Sequence, residues 1–97
     1  MAHQTKQLFP LGQLVYTASI QTLLEYEKIS NADLFGILRR HALGDWGDLC
    51  DEDKQVNREA LAEDGRLLSS YKIRNNTLWV ITEADRSVTT ILLPEDY

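Results

Sequence analysis

The side chains with the clearest capacity for chemistry lie between positions 44 and 53. This stretch holds five of the fifteen acidic residues of the 97-residue chain, together with Trp46 and two glycines. Carboxylates at this density can coordinate a divalent cation or contact Arg and Lys side chains of another protein. The glycines free the backbone to turn sharply. We therefore interpret residues 44–53 as a shaped acidic loop that leads into a helix.

A metal site is the weaker explanation of this loop. Divalent cations such as Ca²⁺ need about six oxygen ligands in a defined arrangement. The spacing of Asp45, Asp48, Asp51 and Asp53 matches no calcium loop. Asp51 is also explained as a helix cap, with Glu52 and Asp53 in the positive first turn of the helix. The sequence therefore predicts no metal and no other cofactor.

Two compatible roles for the loop stay open. Trp46 can insert into the core and hold the loop in one shape, since a large aromatic side chain gains most by burial. The carboxylates can then form an exposed contact surface for Arg or Lys side chains of a partner protein.

A second group of polar side chains suggests an enzyme. If the strands form a sheet, several of these side chains could converge on one face of it, in an outline similar to barnase- and RelE-like ribonucleases. Those enzymes use basic and hydroxyl groups to stabilise the charge that develops on a phosphate. The net charge of −5 and the pI of about 4.8 argue against an RNA-binding enzyme. The candidates are His41, Arg66, Tyr71, Arg86 and either Thr89 or Thr90.

Simpler explanations exist for two members of this group. His41 falls near the end of a predicted helix, where the helix dipole favours a basic side chain. Arg86 falls in a predicted turn beside Glu83 and Asp85, with which it can pair.

Cys50, the single cysteine, has no histidine at a recognisable spacing, and its acidic neighbours disfavour the thiolate.

The spacing of apolar residues predicts the α+β class. Helical spacing covers residues 18–28 and 32–43, and a third helix runs from Asp51 to Gly65. Alternation predicts strands at 67–74, 78–83 and 88–93, and their short connections require antiparallel pairing. We expect three N-terminal helices packed on a C-terminal three-stranded antiparallel meander. Residues 13–16 are β-prone and are expected to add a short edge strand near the N-terminus.

The same patterns predict which side chains are buried and where the chain turns. The second helix should bury Leu34, Phe35, Leu38 and Ala42, and the third should bury Val56, Ala60 and Leu61. A hairpin turn is expected at residues 75–76. Residues 1–10 are predicted to be flexible, and residues 11–97 to form one domain. A secretory signal and a membrane-spanning apolar run are not found in the sequence, which predicts a cytoplasmic protein.

Three segments of the chain resemble a family of small bacterial proteins carried on plasmids, phages and integrative elements. They are residues 44–49, residues 65–71 and residues 78–94, of which the last is the most specific, and Asn57 also matches. The resemblance extends over residues 11–97. It implies a setting on mobile DNA and supplies no catalytic residue. Small acidic proteins in that setting are often inhibitors of host defence, of the anti-CRISPR or antirestriction type.

These observations together predict a non-enzymatic module that binds a basic surface on another protein. A CRISPR effector or a restriction complex is the expected partner, and the module would compete there with nucleic acid while binding none itself. The alternatives are a ribonuclease-like toxin and a homodimeric regulator, so the chain is expected as a monomer or a homodimer. The predicted contact surface comprises Asp45, Trp46, Asp48, Asp51, Glu52, Asp53, Asp64, Asp85 and Arg86.

Overall fold

The computed structural model describes residues 6–97. The chain forms an α+β fold in which three helices pack against a four-stranded sheet. The sheet order is β1-β4-β3-β2. The elements are β1 (Gln13–Tyr16), α1 (Ala18–Glu25), α2 (Asn31–Ala42), α3 (Asp51–Glu63), β2 (Leu67–Ile73), β3 (Asn76–Thr82), β4 (Val88–Leu92) and a short 3-10 helix (Pro94–Asp96).

The predicted fold class is wrong in two respects. The sheet is mixed, because β1 pairs in parallel with β4 while β2, β3 and β4 pair antiparallel. The helices do not form an N-terminal block, because they follow β1 and lie between β1 and β2 in the chain. The physical reason is that β1 and β4 are separated in the chain by the three helices and by β2 and β3, a connection long enough for two strands to pair in parallel.

Helices α1 and α2 cover one face of the sheet. Ile20 of α1 and Ile37 of α2 are buried against Tyr71, Leu78 and Val80 of the sheet. Helix α2 begins with a capping box, in which the Ser30 hydroxyl accepts from the Asp33 N–H and the Asp33 carboxylate accepts from the Ser30 N–H.

The predicted buried stripe of α2 is wrong at one position. Phe35 is 68% exposed, whereas Ile37 and His41 are buried. Leu34, Leu38 and Ala42 are buried as predicted.

Helix α3 packs beside β2 and closes a second, smaller cluster. Its Ala60 belongs to this buried cluster together with Leu67, Phe9 and Trp46. The predicted face of α3 is wrong at Val56, which is 58% exposed. The N-cap of α3 is Cys50, so Asp51 is the first helical residue and not the predicted cap.

The two ends of the sheet also differ in detail from the prediction. The hairpin between β2 and β3 turns at residues 74–75, one position before the predicted pair, and Arg74 takes the positive φ of 56°. After β4 the chain forms a short 3-10 helix next to β3, on the second face of the sheet, which is the face opposite α1 and α2. There the Tyr97 ring packs edge-on against Trp79 at 5.7 Å.

The predicted flexible N-terminus, residues 1–10, falls partly outside the described residues. Within them, Phe9 is buried in the smaller cluster, and the Leu8 N–H donates to the Ala42 carbonyl at 2.8 Å. No helix between residues 6 and 97 has the length and the apolar content needed to span a bilayer.

Candidate functional site

The acidic turn, which we define as residues 45–53, is fixed to the domain by Trp46. This side chain is only 4% exposed. Its ring stacks on Phe9 with centroids 6.3 Å apart and meets the His41 ring edge-on at 5.7 Å. The Tyr71 hydroxyl donates to the Asp45 carbonyl at 2.6 Å. Burial of Trp46, which the sequence offered as one role for this residue, therefore positions the turn and leaves the indole little surface for a partner.

The turn also pairs with the edge of the sheet. The Ser70 N–H donates to the Trp46 carbonyl at 3.2 Å, and the Asp48 N–H donates to the Ser70 carbonyl at 2.7 Å. Gly47, between Trp46 and Asp48, therefore forms a one-residue parallel bridge to Ser70, and its φ is +74°. A Cβ at position 47 would lie 1.9 Å from the Ser70 carbonyl oxygen. The close approach of the turn to β2 therefore requires glycine.

Replacing Gly47 by Ala should destabilise the domain by about 2 kcal/mol or more. The left-handed conformation costs an L-residue about 1–2 kcal/mol, and the new methyl group must also push the turn away from β2. Gly36→Ala is the matched control, because a Cβ at position 36 meets nothing within 4 Å. That change should stabilise α2 by about 0.5–1 kcal/mol. Urea denaturation of both variants measures the effects, and an equal response of the two would contradict the fixed turn.

The carboxylates of the acidic turn fall into two classes. The charge of Asp45 is balanced within the domain, because its carboxylate forms an ion pair with the Arg40 guanidinium and accepts a hydrogen bond from it at 2.7 Å. This bond, with a further bond from the Gly47 N–H, holds the pKa of Asp45 below its ordinary value. The other four, Asp48, Asp51, Glu52 and Asp53, are exposed, and no basic side chain among the described residues forms an ion pair with them.

The remaining predicted contact residues lie elsewhere. Asp64 is the left-handed C-cap of α3, thirteen residues beyond Asp51 and therefore about 20 Å away along the helix axis. Asp85 lies in the turn between β3 and β4, where its carboxylate accepts from the Ser87 N–H and hydroxyl. These hydrogen bonds lower the pKa of Asp85. The structure thus separates Asp64 and Asp85 from the acidic turn.

Arg86 is committed to contacts within the domain. Its guanidinium donates to the carbonyl oxygens of Gly65, Glu83, Ala84 and Ala60. It also lies 5.7 Å from the centroid of the Phe9 ring. Arg86 therefore joins the end of α3 to the β3–β4 turn, in place of the simple pairing with Glu83 or Asp85 that its position suggested.

His41 is the most completely buried polar side chain near the turn. It is 0% exposed, and its Nδ1 lies 2.5 Å from the Ser69 hydroxyl oxygen. Its Nε2 lies 2.9 Å from the Thr82 hydroxyl oxygen, which in turn lies 2.7 Å from the Thr89 hydroxyl oxygen. The chain of bonds ends where the Thr89 hydroxyl donates to the Leu11 carbonyl at 2.7 Å.

The Leu11 carbonyl fixes the direction of every bond in this chain. Since Thr89 gives its one proton to that carbonyl, its oxygen accepts from Thr82, and Thr82 accepts from His41 Nε2. The neutral imidazole therefore carries its proton on Nε2 and accepts from Ser69 at Nδ1. Burial, helped by the charge of Arg86, lowers the pKa of His41 from 6.5 to about 4.

This geometry does not support the ribonuclease-like site. Both nitrogens of His41 are used inside the protein, and Tyr71 is 0% exposed. Burial also raises the pKa of the Tyr71 hydroxyl. Arg66 lies on the second face of the sheet, where it donates to the Tyr97 hydroxyl at 2.7 Å and lies 3.6 Å from Glu83. The candidate groups therefore do not meet on one accessible surface.

A groove beside the acidic turn was missed by the sequence analysis. It has a volume of about 300 Å³ and lies between α3 and the second face of the sheet. Asp53 of the acidic turn is one of its lining residues. Alternation along β2 and β3 was the available signal, since it places Leu68 and Trp79 together on the face opposite to the core. The lining residues are Leu49, Asp53, Val56, Asn57, Arg66, Leu68 and Trp79.

Residues 6–97 contain no group of three or more His, Cys, Asp or Glu side chains placed to hold a metal ion. Comparison of the chain with protein-family models, with curated proteins and with solved structures found no match.

Proposed function

We propose that this chain is a non-enzymatic protein-binding module that acts in the cytoplasm, and that its acidic turn occupies a basic surface on a partner protein. The observation that carries the proposal is the state of Asp48, Asp51, Glu52 and Asp53. These four carboxylates are exposed and have no basic partner among the described residues. They project from a segment whose backbone is fixed by Trp46 and by Ser70.

A rigid acidic surface suits recognition of a basic partner for two reasons. Opposite charge accelerates association and orients the two surfaces as they meet. A segment that is already ordered loses little conformational entropy on binding. The neighbouring groove adds apolar surface at Leu68 and Trp79, which can receive the aliphatic part of a Lys or Arg side chain whose charged end pairs with Asp53.

The class of partner that we propose is a host defence complex whose basic surface normally holds nucleic acid. The support for this narrower proposal is the resemblance to proteins of plasmids, phages and integrative elements, together with the net charge of −5. An acidic protein on such a surface would exclude DNA or RNA by occupying its site. The chain would then act as an inhibitor of the anti-CRISPR or antirestriction type.

A competition assay with a charge-reversed turn tests the proposal. The turn variant carries Asp48→Lys, Glu52→Lys and Asp53→Lys. The assay measures the chain concentration that halves DNA binding by a purified CRISPR effector or restriction complex. We expect this concentration to rise by more than about tenfold, since each lost charge pair at a partly buried contact contributes on the order of 1 kcal/mol.

The matched control reverses three carboxylates at the other end of the same helix, with Glu59→Lys, Glu63→Lys and Asp64→Lys. Both variants change the net charge by the same amount, so a general charge effect would weaken them equally. The proposal predicts that the control inhibits within about twofold of the unaltered chain. Equal loss in both variants, or no loss in a folded turn variant, would refute the acidic turn as the contact surface.

A further inference from the structure

The two edges of the sheet differ in whether their outward backbone groups are hydrogen-bonded. At the β2 edge, the Asn57 side chain donates to the Leu68 carbonyl at 2.7 Å and accepts from the Leu68 N–H at 3.2 Å. The acidic turn occupies both backbone groups of Ser70. The outward backbone groups along the middle of β2 are therefore already paired, and this edge is closed to another strand.

The β1 edge has no such cover among the described residues. The Gln13 N–H donates to the Ser87 carbonyl and the Thr17 N–H to the Ile91 carbonyl, so the odd-numbered residues bond to β4. Alternation then places the N–H and C=O groups of Leu14 and Tyr16 on the outer side of the strand. No described residue of the chain forms a backbone hydrogen bond with them.

Three of the four side chains of β1 are large, hydrophobic and exposed. Leu14 is 47% exposed, Val15 36% and Tyr16 45%. Beside them, on α2, Phe35 is 68% exposed, and the two elements border a groove of about 200 Å³. Natural edge strands usually carry a charge, a proline or a bulge that prevents pairing with another chain. Residues 13–16 carry none of these features.

We propose that the β1 edge pairs antiparallel with the β1 edge of a second copy of this chain, which joins the two sheets across a twofold axis at Val15. The register follows from which groups face outward. Leu14 of each copy lies opposite Tyr16 of the other copy, which gives two hydrogen-bonded residue pairs. Each pair exchanges two backbone hydrogen bonds, so four bonds join the copies. Val15 then lies opposite its own copy as the non-bonded pair between them, with Cα atoms about 4.5 Å apart.

A second copy fits this edge because residues 13–16 lack the charge that repels copies elsewhere on the surface. Each chain carries a net charge of −5, so most of its faces repel another copy. Residues 13–16 are uncharged, and the acidic turn and Asp64 lie on the opposite, β2 side of the sheet. In the pair, Tyr16 of one copy lies beside Leu14 of the other and can cover the apolar groove at Phe35. This proposal goes beyond the binding function above and does not depend on it.

Charge swapping at the twofold axis tests this arrangement by sedimentation velocity. The unaltered chain should sediment as a dimer. Val15→Asp and Val15→Lys should each raise the dimer dissociation constant by more than about tenfold, because like charges meet across the axis. An equimolar mixture of the two variants should restore the dimer, because the unlike charges then meet. Val56→Asp, at an exposed valine on α3, is the control and should remain a dimer.

Three results would overturn the proposal. They are an unaltered chain that stays monomeric at every concentration, a dimer that both Val15 charge variants leave intact, and a mixture of the two that fails to recover. If the charge variants do not fold, Val15→Cys with Cys50→Ser provides a second test. The expected Cα separation suits a disulfide, so oxidation should link two copies through position 15. A variant that gives no linked species would also overturn the proposal.

Discussion

Replacing Trp46 by Ala should lower the free energy of unfolding by about 3–5 kcal/mol, which is the usual cost of removing a buried Trp or Phe. The indole packs against Phe9 and His41 and belongs to the same cluster as Ala60 and Leu67. Its removal leaves a cavity among these side chains. Since domains of this size are stable by about 5–15 kcal/mol, such a loss removes a large share of the stability.

The matched control is Trp79→Ala, which removes the same side chain from the second face of the sheet. Trp79 is partly exposed there, so its loss should cost clearly less. Guanidinium denaturation followed by circular dichroism compares the two variants. If Trp46→Ala cost no more than Trp79→Ala, Trp46 would not be the residue that holds the acidic turn to the domain.

Stability should also fall in mild acid because of His41. Its pKa is about 4 in the folded protein and near the ordinary 6.5 when unfolded. The unfolded chain therefore binds more protons between these values, and stability falls as the pH falls. The contribution is fully present above pH 6.5 and is lost towards pH 4. The difference corresponds to about 3 kcal/mol over the window.

The comparison of unaltered chain and His41→Gln isolates this effect, because a glutamine offers a donor and an acceptor but does not titrate. Urea midpoints at pH 7 and pH 4.5 should differ much more for the unaltered chain than for the variant. The aspartates with lowered pKa values, Asp45, Asp85 and Asp96, titrate below their ordinary 3.8 and so contribute below this window. Equal pH dependence in both proteins would show that His41 is not held neutral by burial.

Local patterns predicted the elements of this fold better than their arrangement. Alternation and helical spacing located three helices and the last three strands, because both signals depend on neighbours in the chain. The position of β1 beside β4 does not depend on neighbours in the chain, because Gln13 pairs with Val88, seventy-five residues further on. The helices together with β2 and β3 form the connection between these two strands, and nothing within residues 13–16 specifies that partner.

Two errors on the helices have a common physical cause. Phe35 and Val56 are apolar and are therefore predicted in the core, but both face outward. The helical spacing of α2 instead favours burial of Ile37, three positions after Leu34, and of His41, four positions after Ile37. The burial of the polar His41 does not follow from the sequence, because its hydrogen-bond partners, Ser69 and Thr82, are far away in sequence.

The candidate site was predictable in composition but not in shape. The density of carboxylates at residues 45–53 is visible in the sequence, as is the chance that Trp46 is buried. The pairing of Asp45 with Arg40 and the bridge from Gly47 to Ser70 both depend on the folded chain. These contacts leave four of the five carboxylates of the acidic turn without an ion pair among the described residues, whereas the length of α3 and the β3–β4 turn place Asp64 and Asp85 elsewhere.

The most direct test of the acidic turn as a contact surface is capture from a bacterial lysate that contains CRISPR effector and restriction complexes. The tagged unaltered chain, the turn variant and the control variant serve as three baits, at low salt and at about 0.5 M salt, where screening is complete within a few ångströms. We predict a stoichiometric partner that the unaltered chain and the control variant retain at low salt, that high salt releases, and that the turn variant fails to retain. A partner retained equally by all three baits, or none retained by the unaltered chain at low salt, would contradict the account.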